Sequence, residues 1–207
     1  MKNNENRVRV NKGLQHWLSG QPAEVQQHFL HMVRSRSSEF KEAFAIDKLG
    51  AMMGVHALID EVMVRSNREN SCKKGCAFCC HINVDVTDPE AALIAQHCRE
   101  KNIKVDVNYL HERLRNRKME VALSKAAACV FLKNNECSIY EVRPLACRSY
   151  LVVNEPQYCD AVTYRPPAHG TLVVNDPYVE LELSALYDAL KAKNAERMER
   201  MLLRYFK

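Results

Sequence analysis

Four cysteines, Cys72, Cys76, Cys79 and Cys80, fall within nine positions of the segment SCKKGCAFCCH. Nothing else constrains the chain as much, because thiols set that close must be paired or held by something. The opening stretch MKNNENRVRV has no apolar core of the kind a secretion signal needs. A cytoplasmic protein is therefore expected, and thiols there stay reduced. A dense cysteine pattern in that compartment points to metal or catalysis rather than disulfides. The total of nine cysteines is odd, which rules out complete pairing.

A second group, Cys129, Cys137, Cys147 and Cys159, lies some 50 residues further on. Cys129 and Cys137 bracket the turn-like KNNE, Cys147 follows Pro144, and Cys159 follows NEPQY. Cysteines at hairpins and turns are how a metal site gathers ligands distant in sequence. In the first group, steps of three and four residues bring thiols to one face of a helix, and a C-x2-C turn offers two sulfurs to one ion. Cys79 and Cys80 are adjacent, so their side chains are expected to diverge. Lys73, Lys74, Arg143 and Arg148 stand beside the cysteines and would offset the negative charge of a thiolate site. His81, next to Cys80, is a candidate non-thiolate ligand. Buried cysteine can also act as a small hydrophobe, but that does not explain eight of them in two groups beside turns and basic residues. Cys98 is isolated and reads as structural. A redox dithiol at Cys76 and Cys79 lacks the βαβ setting expected around it.

The rest of the chain reads as mostly helical. Pro22 opens one helical pattern, and a longer one runs from about Ser38 to Arg68, where His56 reads as a core histidine. Gly50 and Gly54, four apart, favour close approach of another backbone. TDPEAALIAQHCRE has Thr87 as N-cap, Pro89 in the first turn and Glu90 at the capping-box position. A further helix is expected over Val107–Ala127, a β-hairpin over Cys129–Tyr140, short strands in LVVNE and TLVVN, and a helix from Pro177 to the C-terminus. The expected fold is mainly α with a small β-hairpin, its helices packed around a cysteine-rich metal-binding core. Residues 1–70 form an N-terminal helical region, 71–160 the cysteine core, and 161–207 a loop and C-terminal helix, within one compact domain. The net charge of +5 permits an acidic partner without demanding one. The basic surplus in residues 99–118 reads as a solvated helix face. No apolar run approaches the roughly 20 residues that span a bilayer.

CKKGCAFCCHINVDVTDPEAALIA followed by CVFLKNNECSIYEVRPLACRSY resembles the YkgJ-like cysteine-cluster family, a zinc- or iron-chelating domain, over about residues 72–160. The second half carries most of the specificity, with C-S-I-Y followed by R-P-L-x-C-R. The resemblance implies zinc or an iron–sulfur cluster on Cys72, Cys76, Cys79, Cys80, Cys129, Cys137 and Cys147, with Cys159 in the looser tail. The pattern is also similar to the core of flagellin lysine N-methylases. That likeness implies a four-iron cluster, S-adenosylmethionine and a protein substrate. Arg143 and Arg148 are then the candidates to bind such a cofactor through its carboxylate. No G-x-G-x-x-G follows an expected strand, so the common nucleotide-binding turn is missing.

The leading expectation is a cytoplasmic protein that holds an iron–sulfur cluster or zinc through clustered cysteines. Eight candidates exceed the four that one zinc needs, which tilts the count toward a cluster, and two zinc sites account for it equally well. The alternatives are a methyltransferase-like enzyme acting on protein lysine and a zinc-dependent module that binds protein or nucleic acid. Nucleic acid ranks last, because aromatic residues make up only 7% of the chain and its basic residues alternate with acids.

Overall fold

The computed structural model describes residues 17–65, 72, 75–115, 128–150, 152–153, 155, 177–190 and 195–206. Its residues sort into two compact units, each built from separated stretches of chain. The first takes residues 1–66 and 175–194, the second residues 67–174 and 195–207.

After the helical residues 17–19, the described part of the first unit is built from three longer helices. Helix α1 (Ala23–Ile46) starts directly after Pro22, whose fixed φ suits a helix entry, and buries Phe29, Val33, Ser37 and Phe40 along one stripe. Trp17 meets Phe29 edge-on, with ring centroids 6.3 Å apart. The chain breaks at Asp47 and continues as α2 (Lys48–Arg65), which buries Met52, Val55, His56 and Ile59. Helix α6 (Pro177–Ala189) packs against both. Ser37 Oγ donates to Asp188 at 2.6 Å and Arg36 Nε to Glu182 at 2.8 Å, fixing α6 against α1.

This corrects the expected boundary near Ser38. The break comes at Asp47 because its carboxylate accepts the amides of Leu49 (3.1 Å) and Gly50 (3.0 Å), capping a new helix. The glycine pair does not serve another backbone. A Cβ at Gly50 would stand 2.3 Å from the Asp47 carboxylate, and one at Gly54 would meet nothing within 4 Å.

In the second unit, β1 (Asp85–Val86) leads into α3 (Asp88–Glu100), which has the expected capping box of Thr87 and Glu90. At its far end Asn102 adopts φ 53°, and the Ile103 amide reaches the Cys98 carbonyl at 2.8 Å, closing the helix in a left-handed cap. Helix α4 (Val107–Arg115) follows. The described residues show it to 115, and 116–127 of the expected helix lie outside them.

The hairpin appears as β2 (Leu132–Lys133) and β3 (Glu136–Cys137), with Leu132 opposite Cys137. Asn134 and Asn135 take φ of 50° and 61°, the left-handed pair that a two-residue turn of this type requires. A short helix α5 (Leu145–Arg148) comes after Pro144.

The long helix expected from Pro177 to the C-terminus does not run to the end. After α6, residues Glu196–Arg197 form β4, antiparallel to β1, and α7 (Met198–Leu202) follows. The pairing with β1, extended by the Met198 amide on the Val84 carbonyl at 2.8 Å, overrides the helical pattern there. Helix α7 packs on α3 and α4, and Ile94, Leu110, Phe131, Leu145, Met201 and Leu202 are fully or almost fully buried. Val152 forms an isolated bridge within LVVNE, while the strand expected in TLVVN lies outside the described residues. The chain is thus mainly helical with a small hairpin, as expected, plus one two-residue β pair that was not foreseen. No described helix is long and apolar enough to cross a membrane.

Candidate metal centre

The cysteines sit on turns rather than on long elements. Gly75, just before Cys76, has φ 86°, a left-handed conformation that favours glycine. Cys79 and Cys80 then lie on a single 3-10 turn, Phe78–His81. The later set is placed by the hairpin and by α5. Cys129 precedes β2, Cys137 is in β3, and Cys147 is in α5.

One backbone bond joins the two sets. The Cys129 amide donates to the Cys80 carbonyl at 2.7 Å. Around this junction the thiols feel each other's charge. Burial is the first cause that pushes Cys147 up, followed by Cys129, Cys79 and Cys137. Cys129 is pushed up to about 11, first by burial, and Cys137 adds to it. Cys72 is raised by burial, and Cys76 and Cys79 raise it further. Cys79 and Cys80 do not diverge as expected, because the tight turn leaves their side chains hydrogen-bonded. That hydrogen bond is the first cause that lowers Cys79 and raises Cys80.

Several sulfurs also face backbone amides. Cys129 meets the amide of Phe131 and Cys137 that of Ile139, in each case two residues on, and Cys72 meets that of Val152. Such N–H groups favour the thiolate over the thiol. They are also among the features that tune thiolate-held metal centres. Arg143 lowers Cys79, Cys137 and Cys72 by its charge, while its guanidinium lies 3.9 Å from the Tyr140 ring centroid. Arg148 is buried, and its Nη2 donates to the Glu141 carbonyl at 2.6 Å.

Seven of the eight expected ligands, Cys72, Cys76, Cys79, Cys80, Cys129, Cys137 and Cys147, are thus placed in one region as free thiols. The eighth, Cys159, lies outside the described residues, as do Lys73 and Lys74. Cys98 is buried in α3, and the charges it feels are those of Lys133 and Arg99, not of any other cysteine. Among the described residues, no three His, Cys, Asp or Glu side chains are already set at the spacing an ion demands. The donor chemistry, soft thiols beside amides and a guanidinium, suits zinc or iron.

Two supports were not legible in the sequence. Glu90 does more than cap α3. Its carboxylate accepts the Thr87 amide (2.8 Å) and hydroxyl (2.7 Å), and its other oxygen accepts the Leu145 amide at 2.8 Å. It thereby ties the start of α3 to the start of the helix that carries Cys147. The second support is Arg113, which overturns the reading of residues 99–118 as wholly solvated. Arg113 and Glu199 are 4% and 1% exposed and joined at 2.7 Å. Arg113 Nη1 (2.6 Å) and the Tyr109 hydroxyl (2.7 Å) both donate to the carbonyl of Ala128, the residue before Cys129. Arg113 lies three residues after the buried Leu110, a spacing that marks the inward face of α4 and was the available clue.

Residues 71–164 match the family model described as "CxxCxxCC: Putative zinc- or iron-chelating domain". The comparison with curated proteins and that with solved structures each found no match.

Proposed function

We propose, taking residues 71–164 as a CxxCxxCC domain, that this chain is a cytoplasmic metal-binding protein. Cys72, Cys76, Cys79, Cys80, Cys129, Cys137 and Cys147 supply the thiolates for zinc or an iron–sulfur centre. The observation that carries the reading is the 2.7 Å bond from the Cys129 amide to the Cys80 carbonyl, which makes two distant thiol sets neighbours. The described cysteines are all free, which fits a reducing compartment.

A bound metal would supply either a rigid thiolate cross-link or a redox couple. The protein's own residues do the rest. Glu90 holds the Cys147 helix, Arg113 and Tyr109 hold the carbonyl before Cys129, and Arg143 offsets thiolate charge.

The test is anaerobic purification followed by elemental analysis and a visible spectrum. Iron with sulfide and a brown colour supports a cluster, whereas stoichiometric zinc in colourless protein supports a structural site. A chain that retains neither metal after reconstitution and desalting would refute the proposal.

A further inference from the structure

His81 closes the 3-10 turn that carries Cys79 and Cys80. Its Nδ1 is sealed from solvent and meets no hydrogen-bond partner among the described residues. A buried polar atom left without a partner is costly, and such atoms in native proteins call for a specific explanation. The two carbonyls that precede it in the chain each accept a backbone amide. The Cys79 carbonyl takes the Ile82 amide at 3.3 Å, and the Cys80 carbonyl takes the Cys129 amide at 2.7 Å. His81 directly follows Cys79 and Cys80 on this turn, and an imidazole nitrogen in a segment so rich in thiols matches a transition metal held by those thiols.

We propose that His81 is a further ligand of the thiolate-held metal, binding through Nδ1. This rests on the metal reading given above and deepens it. The centre is then of mixed sulfur and nitrogen type. Imidazole carries no charge, so replacing one thiolate by His81 makes the site less anionic by one unit. A borderline ion such as zinc accepts that combination readily. Were the centre an iron–sulfur cluster, a histidine in place of a thiolate would raise its reduction potential.

The experiment uses the full chain, reduced, loaded anaerobically with zinc alone and desalted. X-ray absorption at the zinc edge should show a nitrogen scatterer at about 2.0–2.1 Å beside sulfur near 2.3 Å. Long-range proton–nitrogen correlation spectra should show one histidine with metal-shifted Nδ1 and protonated Nε2. In His81→Gln that histidine signal and the nitrogen scatterer should both disappear, with zinc affinity falling tenfold or more. The wild-type spectra decide the matter even if the variant fails to fold. An all-sulfur shell overturns the proposal. So does a protonated Nδ1, which would mean a hydrogen bond to sulfur instead, or a nitrogen scatterer that survives His81→Gln. A chain that holds no zinc overturns it as well, and one that holds neither zinc nor iron overturns the metal reading with it.

Discussion

The Glu90 carboxylate spans two helix starts at once, taking the Thr87 amide at 2.8 Å through one oxygen and the Leu145 amide at 2.8 Å through the other. Glutamine at this position has a single carbonyl oxygen, so Glu90→Gln must abandon one of these donors. The expected cost is about 1–3 kcal/mol in a urea titration, the usual penalty for a buried donor left unmatched. Metal affinity should fall about 10- to 100-fold, because the helix carrying Cys147 loses its anchor. A variant with unchanged stability and affinity would show that the bridge contributes nothing.

Removing Arg113 strands Glu199 inside the second unit, with only Arg197 left at 3.2 Å. Arg113→Met should destabilise the protein by about 3 kcal/mol, toward the low end for a buried ion pair that loses one partner, because Arg197 still faces Glu199. The double variant Arg113→Met, Glu199→Leu should recover a large part of that loss. Tyr109→Phe, which deletes only one donor to the Ala128 carbonyl, should cost about 1 kcal/mol. Equal losses in the single and double variants would argue against a buried charge as the cause.

The cysteines should separate into two classes by metal content. Cys76→Ala and Cys129→Ala should each weaken metal retention by more than tenfold, about 1.4 kcal/mol. Cys98→Ala should leave metal content unchanged and show only the modest loss of a small buried side chain. Elemental analysis after desalting reads the difference, and identical behaviour of Cys98→Ala and Cys129→Ala would refute the assignment.

Alkaline stability should depend on Tyr205. Burial first, then its 2.6 Å hydrogen bond to Asp88 Oδ1, raises its pKa to about 12. The folded protein therefore holds this proton more tightly than the unfolded chain, whose tyrosines titrate near pH 10. The contribution is fully present below about pH 10 and lost as pH rises toward 12. Wild type should lead Tyr205→Phe by a constant margin up to about pH 10 and lose it above. Urea midpoints of both proteins from neutral to alkaline pH give the comparison, and a margin that did not shrink would contradict the assignment.

Elements written in local signals were readable in the sequence. The Thr87–Glu90 capping box and the KNNE turn each depend on residues within a few positions of one another, and both stand where expected. The cysteine grouping was readable for the same reason. Features set by distant partners were hidden. Nothing local to Glu196–Arg197 distinguishes a strand from a continuing helix, since only Asp85–Val86 across the fold decides it. Arg113 looked like one more surface cation until Glu199 supplied its partner. Asp47 was different, since aspartate before a helical run is a known cap. The apolar pattern continues across it and masks that cap.

Both units are completed by late stretches of chain, residues 175–194 for one and 195–207 for the other. During synthesis, the segment bearing Cys72–Cys147 leaves the ribosome well before Glu199 is available to neutralise Arg113. The support that Arg113 gives to the carbonyl before Cys129 is therefore completed only after translation has passed residue 199.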